Sequence, residues 1–141
     1  MARPFRLVIA SCTRKLYEGR VEHVRLPAVD GYMGILAHHA RMLAVLGYGN
    51  ITVRPYAADD EYTFTCFGGV AEVGEDNVVR LYLDSGEPVE EIDPERALAA
   101  KQRAEERLKR VREDRSIDER RARAALLRAL LRLKAAEAVR R

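Results

Sequence analysis

The sequence predicts a mainly β domain followed by an α-helical hairpin, and three observations carry that prediction. Short apolar–polar alternations broken by turn residues fill the first part of the chain. An Arg/Ala/Leu-rich helical pattern fills the last part, and the change between them falls abruptly between Pro88 and Pro94. Short strands with frequent turns form an antiparallel β-sandwich or a flattened barrel rather than a parallel α/β sheet. Two helices with a short connection form an antiparallel hairpin. The sandwich domain is placed at 1–87 and the two-helix hairpin at 88–141.

The strands follow in order. Phe5, Leu7 and Ile9 alternate with Arg6 and Val8, and Tyr62, Phe64 and Cys66 alternate with Thr63 and Thr65. A two-residue period with one polar side is the mark of a half-buried strand. Ile51-Thr52-Val53-Arg54 and Val79-Arg80-Leu81 share that rhythm. Turns are expected at Glu18-Gly19, Asp30-Gly31, Gly47 to Asn50, Ala58 to Asp60, Gly68-Gly69 and Glu75 to Asn77. The clusters Gly31-Tyr32-Met33-Gly34 and Gly68-Gly69 are read as sharp turns, because glycine has no Cβ to oppose a positive φ.

The helices have start signals with a mechanism. Asp93 can cap the orphan N–H groups of a helix, and Pro94 suits its first position, where a missing N–H costs nothing. Ala97, Ala100, Ala104, Leu108 and Val111 then form one stripe, with small residues that allow another helix to come close. After a break around Glu113 to Ser116, Ser116 and Glu119 read as a capping box for the second helix. Its stripe is Ala122, Ala125, Leu126, Ala129, Leu130, Leu133 and Ala136.

Charge divides along the same line. Residues 1–93 carry a net −5 and residues 94–141 a net +8, which give the +3 of the whole chain. A basic appendage on an acidic body can fold back on that body, reach an acidic partner or meet nucleic acid. Arg96, Arg103, Arg107 and Arg110 share one side of the first helix, and Arg121, Arg128 and Arg132 one side of the second. Single exposed arginines are ordinary solvated positions, but several on facing helices can converge on phosphates or carboxylates.

Other classes of chemistry find little support. The apolar fraction of 48% suits a packed domain rather than a disordered one. The apolar runs fall short of the ~20 residues that span a bilayer, and Phe5 to Ala10 is too short and interrupted for a signal peptide. Cys12 and Cys66 both sit in strand-like settings and are expected to remain reduced. His38 and His39 stand side by side without a third ligand at metal-binding spacing. Ser11 and Ser85 have no recognisable base nearby, and no phosphate-binding loop of the G-x-x-x-x-G-K-[ST] type is present.

The clusters Gly31-x-x-Gly34-Ile35, His39-Ala40, Gly68-Gly69-Val70-x-Glu72-Val73 and Ile92-Asp93-x-x-Arg96-Ala97 gain meaning from their order and spacing. Together they make the whole chain resemble the epsilon subunit of the rotary F-type ATP synthase. The chain departs from that family at Ala37 and Arg41, where proline often flanks the His-Ala pair.

The resemblance implies a non-catalytic rotor subunit. Its sandwich would grip the gamma subunit and touch the c-ring, with Asp30, Tyr32 and His39 as contact candidates. Its helices would be permissive when folded and would block ATP hydrolysis when extended. Arg120, Arg121, Arg123 and Arg128 would then meet an acidic segment of the catalytic beta subunit. Some bacterial members bind ATP on the folded hairpin, and that site maps here to Glu87, Asp93, Arg96, Ala97, Arg103, Arg128 and Arg132. No cofactor would be required, and such a regulatory ATP would not need Mg²⁺. The implied location is peripheral, on the cytoplasmic face of a bacterial inner membrane, with membrane association only through the complex and no nucleic-acid partner. Two alternatives stay open: a purely structural coupling subunit with little inhibition, and a nucleic-acid-binding protein with a basic tail. The latter would bind with steep salt dependence, but the first domain lacks an aromatic stacking surface and eight acids interrupt the basic tail.

Overall fold

A computed structural model describes residues 2–139. Six strands come first: β1 (Phe5–Ser11), β2 (Lys15–Ala28), β3 (Gly31–Ile35), β4 (Met42–Pro55), β5 (Tyr62–Val73) and β6 (Val78–Leu83). A 3-10 turn at Val89–Glu91 precedes two helices, α1 (Pro94–Arg110) and α2 (Glu119–Val139). The chain divides into two compact units, Met1–Pro88 and Val89–Arg141.

In the first unit the strand order is β1-β6-β5-β4-β2-β3, and β1 pairs with β2 as well, so the sheet curls round and closes on itself. All pairings are antiparallel except β1–β6, which is parallel and is an exception to the antiparallel expectation. The alternation in β1 does what its period demands: Phe5, Leu7 and Ile9 are buried while Arg6 is exposed. They pack with Val21, Val24, Leu26, Ile35, Ile51, Val53 and Leu81 into one core. Full burial of each such aliphatic side chain is worth about 1.5–3 kcal/mol.

Three expected turns lie inside long strands instead. Glu18-Gly19 falls within β2, Gly47 to Asn50 within β4 and Gly68-Gly69 within β5. In β5 the backbone at the glycine pair is one that only glycine adopts readily. Gly68 and Gly69 carry φ values of +90° and +139°, and a Cβ on Gly69 would lie 2.9 Å from Leu83 Cα and closer still to the Tyr82 carbonyl oxygen. Gly31 does open β3 with φ +133°, but Gly34 lies within β3 with no such backbone. There a Cβ would meet His23 Nε2 at 2.8 Å.

Thr65 also departs from the expected polar face, since it is fully buried. Both cysteines are free thiols. Cys66 is buried in β5, and burial pushes its thiol up to about 11, whereas Cys12 is exposed just past the end of β1 rather than within a strand.

In the second unit, Asp93 caps α1 as its sequence suggests, accepting from the Glu95 N–H at 3.0 Å and the Arg96 N–H at 3.3 Å. Ser116 does not cap α2. Its hydroxyl donates to Asp114 at 2.6 Å, and Asp118 takes the cap by accepting from the Arg121 N–H at 3.2 Å. The helices meet through Ala97 and Ala104 on α1 and Ala122, Ala129 and Ala136 on α2, all buried at seven-residue intervals. Seven-residue spacing keeps a seam facing its partner. Alanine knobs let the helices come close, so little apolar area is buried per residue. Leu130, expected in the seam, is 41% exposed.

Candidate functional site

The β2–β3 turn presents the first group of candidate contacts. Asp30 is exposed in the turn, next to Val29. Tyr32 follows on β3, half exposed, with the Arg25 guanidinium stacked over its ring at 4.2 Å. Its hydroxyl accepts the Asn50 N–H at 3.2 Å from β4. Gly49 makes that contact feasible, because a Cβ there would lie 2.8 Å from Pro27 Cβ and closer still to the Tyr32 hydroxyl. The tip is therefore braced by the segment misread as a turn. His39 lies elsewhere, in the β3–β4 connection, where its Nδ1–H donates to the Ala40 carbonyl at 2.8 Å.

Glu87 stands one residue before the end of the first unit, and a residue that sequence reasoning missed holds it there. The buried Thr65 hydroxyl donates to the Glu87 carboxylate at 2.8 Å, and the Thr65 N–H donates to the Glu87 carbonyl at 2.9 Å. The signal was present in the sequence as a threonine inside a strand whose neighbours on both sides are buried apolar residues.

The remaining candidates belong to the hairpin. Asp93 is occupied as the helix cap, and Ala97 is buried in the seam with its N–H on the Asp93 carbonyl at 3.0 Å. Arg96 and Arg103 are exposed, whereas Arg128 and Arg132 are half-buried. Arg120 and Arg121 project from the first turn of α2, and Arg123 pairs with Glu119 at 2.7 Å. A cleft of about 480 Å³ opens between the helices at their loop end, lined by Arg107, Arg121 and Arg128 with Ser116, Ile117, Asp118 and alanines of α2. It gathers Arg128 from the motif-matched set, but Asp93, Arg96, Arg103 and Arg132 do not line it. Arg107 is the member that the sequence patterned but did not nominate. Among the described residues no group of three or more His, Cys, Asp or Glu could hold a metal ion. No helix among them is long and apolar enough to cross a membrane.

Comparison with known proteins covers both units. Residues 4–87 match the family model of the ATP synthase delta/epsilon chain, beta-sandwich domain, and residues 90–137 match that of its long alpha-helix domain. The ATP synthase epsilon chain of Desulfitobacterium hafniense (strain Y51) is 38% identical over 136 residues, covering 96% of this chain and 98% of that one. The epsilon chain of Symbiobacterium thermophilum is 44% identical over 127 residues, covering 88% of this chain and 86% of its own. Among solved structures, a chain of the Euglena gracilis mitochondrial ATP synthase OSCP/F1/c-ring assembly superposes with a TM-score of 0.76 at 22% identity, over 98% of this chain and 82% of that one. A chain of the Tetrahymena thermophila mitochondrial ATP synthase central stalk/c-ring gives a TM-score of 0.54 at 14% identity, over 64% of this chain and 71% of that one. Both structural matches show the shared fold. With both domain models matched in order and full-length relatives above 30% identity, the chain belongs to the ATP synthase delta/epsilon family, as an epsilon subunit of the F-type enzyme.

Proposed function

We propose that the chain is a non-catalytic rotor subunit of the central stalk that helps couple proton flow to ATP synthesis. In this reading the sandwich holds the gamma subunit, its β2–β3 tip faces the c-ring, and the hairpin restrains ATP hydrolysis by the catalytic hexamer. The subunit is peripheral to the membrane, on the cytoplasmic face of a bacterial inner membrane, and associates with it only through the complex. The fold is shared with a chain of the Euglena gracilis OSCP/F1/c-ring assembly and with a chain of the Tetrahymena thermophila central stalk/c-ring, which supports this placement.

The observation that carries the regulatory part is the hairpin's construction. It forms a compact unit of its own, closed on an alanine seam that buries little apolar area, and it carries a net +8 from residue 94 onward. Low burial keeps the free-energy gap between folded and extended states to a few kcal/mol. The exposed Arg120, Arg121 and Arg123 then suit an acidic segment of the beta subunit, with an attraction that weakens as salt rises. ATP held by Glu87, Asp93, Arg96, Ala97, Arg103, Arg128 and Arg132 would favour the folded state, and no Mg²⁺ would be obligatory because arginines supply the counter-charge.

Calorimetry with ATP tests the nucleotide part. The intact chain is expected to bind, and Arg103→Ala is expected to weaken binding by about tenfold or more, the loss of one charge-assisted hydrogen bond. Equal affinity in the variant would remove Arg103 from the site.

A further inference from the structure

We infer that the loop end of the hairpin is a second anion site, which takes a small phosphate-bearing ligand between Arg107, Arg121 and Arg128. The cleft draws on both helices and the connection between them, so it exists only when the hairpin is closed. Its volume of about 480 Å³ falls within the range of small-molecule sites, roughly 300–1,000 Å³.

The charges that face it favour a polyanion. Arg107 on α1 and Arg121 on α2 are exposed, and among the described residues neither has a carboxylate within ion-pairing distance. Arg128 adds a third guanidinium from two turns further along α2. The single carboxylate on the lining, Asp118, is turned to the backbone, where it accepts the Arg121 N–H. Ser116 contributes no donor, because its hydroxyl proton is committed to Asp114. Three guanidinium groups and one carboxylate therefore line the cleft, with the Asp114 carboxylate behind Ser116. The cleft also sits at the positive end of the α2 dipole, which reinforces anion binding.

Guanidinium groups present paired N–H donors that match phosphate oxygens, so several of them select a phosphate over a single carboxylate. Because Arg128 belongs both to this cleft and to the motif-matched positions, one anion at the loop end would compete with another bound further along the hairpin for the same side chain. An occupied cleft also ties α1 to α2 and so favours the closed hairpin.

The test uses the intact chain with inorganic tripolyphosphate as the probe, titrated by calorimetry at low salt. Arg107→Gln and Arg121→Gln are each expected to weaken binding about tenfold, and Arg54→Gln on the sandwich to leave it within about twofold. Unchanged affinity in both loop-end variants, or no binding by the intact chain, overturns the proposal. An equal loss in Arg103→Gln also overturns it, because the anion would then sit at the motif-matched positions. Displacement of tripolyphosphate by an equimolar oligo-glutamate peptide would reassign the cleft to an acidic protein partner. Failure on any of these counts leaves the rotor reading untouched, since that reading is tested by ATP hydrolysis.

Discussion

Gly69 is a position at which the backbone leaves no room for a side chain. Its φ of +139° and the Leu83 backbone 2.9 Å from a would-be Cβ act together. Gly69→Ala is therefore expected to destabilise the sandwich by about 3 kcal/mol, from backbone strain plus displacement of β6. Chemical denaturation followed by the β-sheet signal measures this, and a loss below about 0.5 kcal/mol would contradict it. Glu18 carries a second residue-scale effect. Hydrogen bonds from Lys15 and then Arg6 lower its carboxyl from 4.5 to about 2. A lowered folded pKa gives stability that is present above the ordinary value and lost as pH falls towards the folded one. The stability difference between the wild-type chain and Glu18→Gln should therefore be constant above about pH 5 and shrink between about pH 4.5 and 2. A constant difference down to pH 2 would show that folding does not lower that carboxyl. Such residue-scale features were only half legible. The glycines were visible, but a glycine that permits a turn and one that lies within a strand look alike in one dimension.

At the scale of elements, legibility followed locality. The β1 alternation and the Asp93-Pro94 helix start were readable because side-chain period and capping involve neighbours only. The 14-residue strands β2 and β4 were read as broken because their pairing changes along their length: β2 serves β1 at one end and β3 at the other, with register shifts against β4. The α2 start was misplaced by two residues because Ser116 and Asp118 are both competent caps, and Asp114 decides by capturing the serine. Asp93 offers an element-scale test. Asp93→Ala is expected to cost about 1 kcal/mol of α1 stability, and Asp93→Asn to restore most of it. Helical circular dichroism on melting reports both. An asparagine variant as unstable as the alanine one would show that charge, not capping, is what Asp93 provides.

At the scale of the molecule, the two-part plan was evident from composition and charge, and the family followed from the order of weak motifs rather than from any one of them. Which arginines gather was not legible. That depends on how α1 and α2 rotate about their alanine seam, and the seam uses Ala122, Ala129 and Ala136 while leaving Leu130 exposed. Leu98, Leu127 and Leu130 remain at the hairpin surface together with the basic side chains. Helices with apolar area still uncovered, on a net +8 segment, suit an element that exchanges one set of contacts for another.

The most direct measurement is ATP hydrolysis by an alpha–beta–gamma core, alone, with the full chain, and with a version ending at Pro88. The account predicts that both forms bind the core, that the full chain slows hydrolysis, and that the shortened form leaves it at the rate of the core alone. Binding by both without inhibition by either would contradict the regulatory role of the hairpin and leave a structural coupling subunit. Binding by neither would contradict the rotor assignment itself.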